Sequence, residues 1–208
     1  MHSEALTDKG KEIFPKLSKF EGFYLAGGTA LALQIGHRIS IDFDFFTGEK
    51  IKRTLLAKAE DIFSPSSLEV LVNNSGELTF VVEEVKTTFL TYPFPEMLPK
   101  VEIQEASFKL LSIKELAASK ACTIGRRGEL KDYVDIYFIL KEEHATLSEI
   151  FELAAKKYGE TFDTRLFLEQ LLYLDDVEDV KIQFLKKPVL KSEIKEFFEE
   201  HIRSVEVA

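Results

Sequence analysis

The sequence predicts an α+β fold, with a mixed β-sheet and helices in the first half and a mostly helical second half. Two observations carry this. Between residues 23 and 92, short apolar or alternating runs are interleaved with two stretches of helical spacing. Beyond the prolines at 93, 95 and 99, the apolar residues recur at helical intervals almost to the C-terminus.

Residues 3–19 predict a helix, because Leu6, Ile13, Phe14, Leu17 and Phe20 fall on roughly one face. Phe23–Ala26 is a short apolar strand ended by Gly27–Gly28. Thr29 can cap a helix reaching about Ile35, and Gly36 can end it. Ile39–Phe46 alternates as a strand, with Asp42 and Asp44 on one face and Phe43 and Phe45 on the other. A helix over 51–63 leads into a Ser-Pro-Ser-Ser break. Leu68–Val72, Leu78–Glu83 and Val85–Tyr92 follow as strands, the last two forming a hairpin. After Val101–Glu105, helices are expected over about 113–124, 130–141, 147–157, 163–172 and 191–203. The proline cluster is the expected seam. It separates a core of residues 1–100 from a helical region, 101–208, that contributes to the active site.

Composition narrows the function classes. Apolar residues make up 45% and charged residues 30% of 208, ordinary for a globular chain. Eighteen Phe and no Trp supply the bulky core filler. No apolar run approaches the roughly 20 residues that span a bilayer. The N-terminal stretch MHSEALTDKGKEIF is charged rather than signal-like, and Cys122 is the lone cysteine. Both point to a reducing, cytoplasmic setting. A net charge of −9 argues against a protein that coats nucleic acid, which needs Lys and Arg to neutralise phosphates. A local basic patch on an enzyme stays compatible with it.

The chemistry concentrates in LAGGTALALQIGHRISIDFDFF, residues 25–46. Carboxylates between phenylalanines are costly unless something compensates their charge. Two of them, two residues apart on a strand, point the same way and can share a divalent cation. Magnesium accepts such oxygen ligands and completes its shell with water and phosphate oxygens. For Asp-Phe-Asp alone, the competing reading is a solvated strand face with two incidental aspartates. Gly27–Gly28 shifts the balance, since a strand ending in Gly-Gly before a helix lets backbone amides approach a phosphate. Thr29 adds a hydroxyl at the same point. Arg38 can clamp phosphate through its guanidinium. Ser40 can bond a phosphate oxygen or tie down its loop, and His37 reads as structural.

A second dense stretch, residues 110–140, holds Lys120 beside an apolar stripe. Asp132 and Asp135 share one side of the next helix, and Gly125 and Gly128 form the connection. Without context this is a helical hairpin with a Lys-Asp salt bridge. The acidic run YLDDVEDV, 173–180, reads as a solvated loop.

Ala26-Gly27-Gly28 followed by Asp42-Phe43-Asp44-Phe45 resembles the signature of the nucleotidyltransferase superfold. More narrowly, Gly27-Gly28-Thr29-Ala30-Leu31, Gly36-His37-Arg38 and Ser40 are similar to the leading motif of the AbiEii/AbiGii nucleotidyltransferase toxin family. Ala118-Ser119-Lys120, Arg126-Arg127 and Lys131-Asp132-Tyr133-Val134-Asp135-Ile136-Tyr137 resemble its second motif, in the right order. The resemblance implies an Mg²⁺-dependent enzyme that moves a nucleoside monophosphate from an NTP to an acceptor. The acceptor would be the 3′ end of tRNA in some members, and an antitoxin protein would be the partner. Asp42 and Asp44 would bind the metal, and Gly27, Gly28, Thr29, Arg38 and Ser40 the phosphates. Lys120 would face the phosphates. Asp132 would orient Lys120 or act as a general base, and Asp135 would do the same or only bond to the hairpin. Arg126 and Arg127 would contact phosphate or RNA.

One departure from the superfold stands out. Many nucleotidyltransferases carry a third metal-binding carboxylate on a later strand, where this chain has Thr87 and Thr88. Glu83–Glu84 suits a turn. One Mg²⁺, with Lys120 supplying part of the electrostatics, is therefore the expected arrangement. The alternatives are a nucleotidyltransferase acting on a small molecule or a protein, and a catalytically silent nucleotide-binding module.

Overall fold

A computed structural model describes residues 1–204, and the backbone but not the side chain of Arg127. The chain divides into two compact units. One comprises Met1–Pro95 and Pro99–Leu111, the other Glu96–Leu98 and Ser112–Ala208.

The first unit is built on a six-stranded mixed sheet, ordered β3-β4-β5-β2-β1-β6. Its strands are β1 (Tyr24–Ala26), β2 (Phe43–Thr47), β3 (Glu69–Asn73), β4 (Glu77–Val82), β5 (Val85–Thr91) and β6 (Lys109–Leu110). The β1/β2, β3/β4 and β4/β5 pairs are antiparallel, while β2/β5 and β1/β6 are parallel. The expected β4–β5 hairpin turns at Glu83 and Glu84, both left-handed at φ 48° and 67°. That suits a two-residue hairpin turn, whose twist matches the strands.

Three helices complete this unit: α1 (Asp8–Leu17), α2 (Gly27–Ile35) and α3 (Leu55–Phe63). The first is shorter than the apolar stripe predicts, because Thr7 caps it by accepting from Gly10 N at 3.0 Å. Phenylalanines fill the covered face of the sheet. Phe45 stacks on Phe89 at 5.2 Å, Phe89 lies 4.6 Å from Phe20, and Phe43 and Phe45 are fully buried. This packing sets the orientation of β2, because its alternation must then turn Asp44 to the opposite face.

Two local expectations change. The strand expected over Ile39–Phe46 begins only at Phe43. Upstream, Ser40 N donates to Ala5 O at 2.8 Å and Ser40 bridges Leu6, so these residues pair with the N-terminal segment instead. Helix α2 starts at Gly27 rather than after Thr29, with Ala26 at its cap, while Gly36 ends it in a left-handed turn as expected.

The second unit is helical: α4 (Ile113–Arg127), α5 (Leu130–Lys141), α6 (Leu147–Tyr158), α7 (Thr164–Leu172) and α8 (Lys191–Arg203). Helix α4 packs against α5, α6 and α7 and runs to Arg127, so Gly125 lies inside it and Gly128 makes the turn. A side chain at Gly128 would come within 2.8 Å of the Tyr133 ring, which is why the turn is glycine. Inside this unit, Glu115 on α4 is fully buried with Lys157 of α6. Its other oxygen accepts the backbone N–H groups of Met97 and Leu98. A buried carboxylate survives there because cation and amides together satisfy it. Among the described residues, no helix is long and apolar enough to cross a membrane.

Candidate active site

In the sheet unit, the residues of the first motif converge at one end of β1 and β2. Asp44 pairs across the sheet with Ala26, which immediately precedes the glycine turn. Gly27 has φ +64°, and a Cβ built on it would collide with the Asp44 carboxylate. Only glycine lets backbone and carboxylate lie this close. On Gly28 an added Cβ would reach Arg38 Nη2 at 2.5 Å, so the guanidinium lies directly over the turn. Arg38 is 5% exposed and donates from Nη1 to the Ile39 carbonyl at 3.2 Å, which leaves its other edge directed to Gly28.

Thr29 is buried. Its Oγ1 lies 2.8 Å from Ser40 Oγ and donates to the Asp42 carbonyl. It therefore braces the backbone that carries the first aspartate. Asp42 sits just before β2, its side chain 41% exposed, with Oδ2 3.4 Å from Lys86 Nζ on β5. Asp44 is half-buried, and His37 is fully buried.

This donor set fits a divalent cation. It offers hard carboxylate oxygens two residues apart and a tight glycine cradle at Asp44. Enough exposure remains at Asp42 for water or phosphate oxygens to complete the shell. Among the described residues no group of three or more His, Cys, Asp or Glu forms a larger metal cluster. The parallel pairing of β2 with β5 sets Thr88 beside Asp44 and Thr87 beside Phe43.

In the helical unit, Lys120 Nζ lies 2.6 Å from Asp132 Oδ1 and 2.8 Å from Asp135 Oδ2. The three side chains are 11%, 7% and 0% exposed. Asp132 Oδ2 also accepts from Glu129 N at 3.1 Å, which fixes the carboxylate at the start of α5. Both aspartates hold Lys120 and fix the direction of its ammonium. Next to them, burial pushes the Tyr133 phenol up to about 12, with the Asp132 charge adding to it. Its hydroxyl donates to Gln170 O at 3.3 Å.

Arg126 stands apart from that trio. It donates to the Thr161 carbonyl at 3.2 Å and lines a cleft of about 670 Å³ within the helical unit. The acidic run at 173–180 forms one wall of this cleft through Tyr173, Asp176 and Glu178, rather than only a solvated loop. The side chain of Arg127 lies outside the described residues.

Sequence reasoning missed Lys86, and the Glu115–Lys157 pair that holds residues 97 and 98. Neither has a local signal. The first depends on the β2/β5 register and the second on α4 packing against α6.

Solved structures share this fold of a mixed sheet with a glycine turn after its first strand. A candidate nucleotidyltransferase of Helicobacter pylori matches with a TM-score of 0.58 over 96% of each chain, at 18% identity. MenT4, a nucleotidyltransferase toxin of Mycobacterium tuberculosis, matches with a TM-score of 0.62 at 16% identity, over 89% of this chain and 79% of its own. The sequence carries the assignment further. Residues 11–206 match the family described as nucleotidyl transferase AbiEii toxin of type IV toxin–antitoxin systems, and the chain belongs to that family. An uncharacterized protein of Aquifex aeolicus (strain VF5) is 29% identical over 181 residues, 87% of this chain and 86% of that relative.

Proposed function

We propose that this nucleotidyltransferase transfers a nucleoside monophosphate from an NTP to an RNA acceptor, the 3′ end of tRNA, with Mg²⁺ held by Asp42 and Asp44. The acceptor hydroxyl attacks the α-phosphorus and gives up its proton to solvent, a new P–O bond forms, the bond to the β-phosphate breaks and pyrophosphate leaves. The cation, when bound, lowers the charge on the phosphate oxygens and orients them. The protein does the rest by placement. Backbone at Gly27 and Gly28, the Arg38 guanidinium and the Ser40 hydroxyl cradle the phosphates. Thr29 acts through the Asp42 backbone.

Lys120, Asp132 and Asp135 enter through the motif they share with the family, as does the role of residues 101–208 in catalysis. Lys120 supplies positive charge to the transferred phosphate. Asp132 orients it, with Oδ1 engaged by Lys120 and Oδ2 by the Glu129 amide. Asp135 serves the same end. Arg126 contributes a phosphate or RNA contact. Action in the cytoplasm beside an antitoxin protein is supported by family membership and is part of the proposal.

One observation carries the metal and phosphate part of this reading, while the RNA acceptor rests on the family resemblance: the Asp44 carboxylate packs against Gly27 and the Arg38 guanidinium covers Gly28. Ligands for a cation and for its phosphates thus meet at one turn. The test is label transfer, with Mg²⁺, each α-labelled NTP in turn and total RNA, using the protein and its Asp42→Ala/Asp44→Ala variant. Label in an RNA band, lost in the variant, is expected. Label on the protein itself would replace the RNA acceptor by self-modification. Transfer that survives in the variant would overturn the site.

A further inference from the structure

We infer that Lys86 takes the place of a second divalent cation, making this a one-metal site with a built-in ammonium. This deepens the proposed function and rests on Asp42 and Asp44 as metal ligands.

Alternation along β5 turns Lys86 and Thr88 to the same side of the sheet as Asp44, while Thr87, beside fully buried Phe43, faces the core. Thr88 beside Asp44 and Lys86 opposite Asp42 are the β5 positions directly across from the aspartates. They hold a neutral hydroxyl and a cation rather than a carboxylate. Extending the register by one residue sets Lys86 opposite Asp42, and its Nζ lies 3.4 Å from Asp42 Oδ2. On β4, one strand further out, Glu77 shares this face, but it accepts from Thr79 Oγ1 at 2.6 Å and joins no larger acidic cluster among the described residues.

Charge balance gives the arrangement its sense. Three carboxylates with two divalent cations leave one net positive charge. Among the strand-borne groups, before the Arg38 guanidinium is added, two carboxylates with one divalent cation and one ammonium leave the same. The cationic character that a two-metal site presents to the reacting phosphate is thus kept, with a fixed lysine replacing an ion that must be recruited. Position agrees with this role. Lys86 approaches Asp42 from β5, on the opposite side of β2 from the glycine turn of β1, so it leaves the phosphate cradle open. Its side chain is 45% exposed, and Asp42 is an exposed enough partner that the pair adds little to stability. Electrostatics toward a ligand is then what the contact serves.

The experiment counts ions. Mn²⁺ is titrated by electron paramagnetic resonance in the presence of each of the four α,β-imido nucleotides in turn, for the wild type, Lys86→Met, Lys86→Glu and Asp42→Ala/Asp44→Ala. Expected are one site-bound Mn²⁺ in the wild type, one in Lys86→Met and two in Lys86→Glu. Transfer by Lys86→Met should fall at least about tenfold, as for loss of one preorganised charge-stabilising group. For Lys86→Glu, the rate should become second order in Mg²⁺. Two ions in the wild type, a single ion in Lys86→Glu, or undiminished transfer by Lys86→Met would each overturn the inference while leaving the aspartate site standing. Wild-type ion binding by the double aspartate variant would overturn the aspartate site and this inference together.

Discussion

Gly27 and Gly28 are neighbours, yet alanine should act on them in different ways. At Gly27 the backbone is left-handed, φ +64°, a conformation that costs an L-residue roughly 1–2 kcal/mol. The new methyl carbon would also overlap the Asp44 carboxylate and lie 3.2 Å from Asp44 Cβ and Cγ. Asp44 is paired on both sides within the sheet, so it cannot retreat as a whole. Forcing an extra methyl into such packing adds about 1–3 kcal/mol. Gly27→Ala should therefore lose about 2–5 kcal/mol in total, taken as the sum of the two effects.

At Gly28 there is no left-handed penalty, and the obstacle is the tip of Arg38 at 2.5 Å. The guanidinium is the far end of a flexible side chain but is buried and hydrogen-bonded, so moving it has a cost, which alanine's preference over glycine in a helix, about 0.5–1 kcal/mol, offsets in part. Gly28→Ala should thus lose less stability than Gly27→Ala while displacing the phosphate clamp. Urea unfolding measures the first effect; Mn²⁺ affinity and the KM for NTP measure the second. Gly27→Ala should lower the unfolding midpoint and weaken Mn²⁺ binding together. Gly28→Ala should lower the midpoint less and raise KM. Equal destabilisation by both variants, or wild-type Mn²⁺ affinity in Gly27→Ala, would refute the geometry from which these magnitudes come.

Three further expectations can be checked on the helical unit. Glu115→Ala strands the buried Lys157 cation and two backbone N–H groups, and should lose about 3–5 kcal/mol by urea unfolding; a loss below about 1 kcal/mol would place that network outside the stability of the unit. Lys120→Met leaves Asp132 and Asp135 buried without their shared cation. It should destabilise by about 3–5 kcal/mol as well as abolish transfer, so an unchanged unfolding midpoint would contradict the geometry. Tyr133 supplies a pH signature. The unfolded chain releases its phenolic proton from about pH 10, whereas the folded chain holds it to about 12, so its contribution to stability is complete below pH 10 and lost as pH rises towards 12. Tyr133→Phe should lose less stability than the wild type between pH 9 and 11; parallel losses would refute the assignment.

Local order was legible in the sequence wherever it depended on residues close along the chain. The helices over 130–141 and 191–203 follow from apolar spacing, and Glu83–Glu84 read as the turn between two strands. The glycine turn and both aspartates stood out because buried charge beside phenylalanine needs a reason. Local reasoning failed where a distant segment competed for the same backbone. Ser40 bonds to Ala5, so β2 starts at Phe43, and nothing between residues 39 and 46 announces that. Thr29 resembled a cap but braces Asp42 across the turn.

Composition and periodicity thus determined most of the elements and singled out the residues proposed to carry the chemistry. Register and packing decided what stands beside them. Pairing β2 with β5, more than forty residues later, brings Lys86 to Asp42. Packing α4 against α6 buries Glu115 with Lys157. Strand register is fixed by the fit of whole faces, here the phenylalanine layer under Phe43, Phe45 and Phe89, and that fit exists only once the sheet has closed over its core.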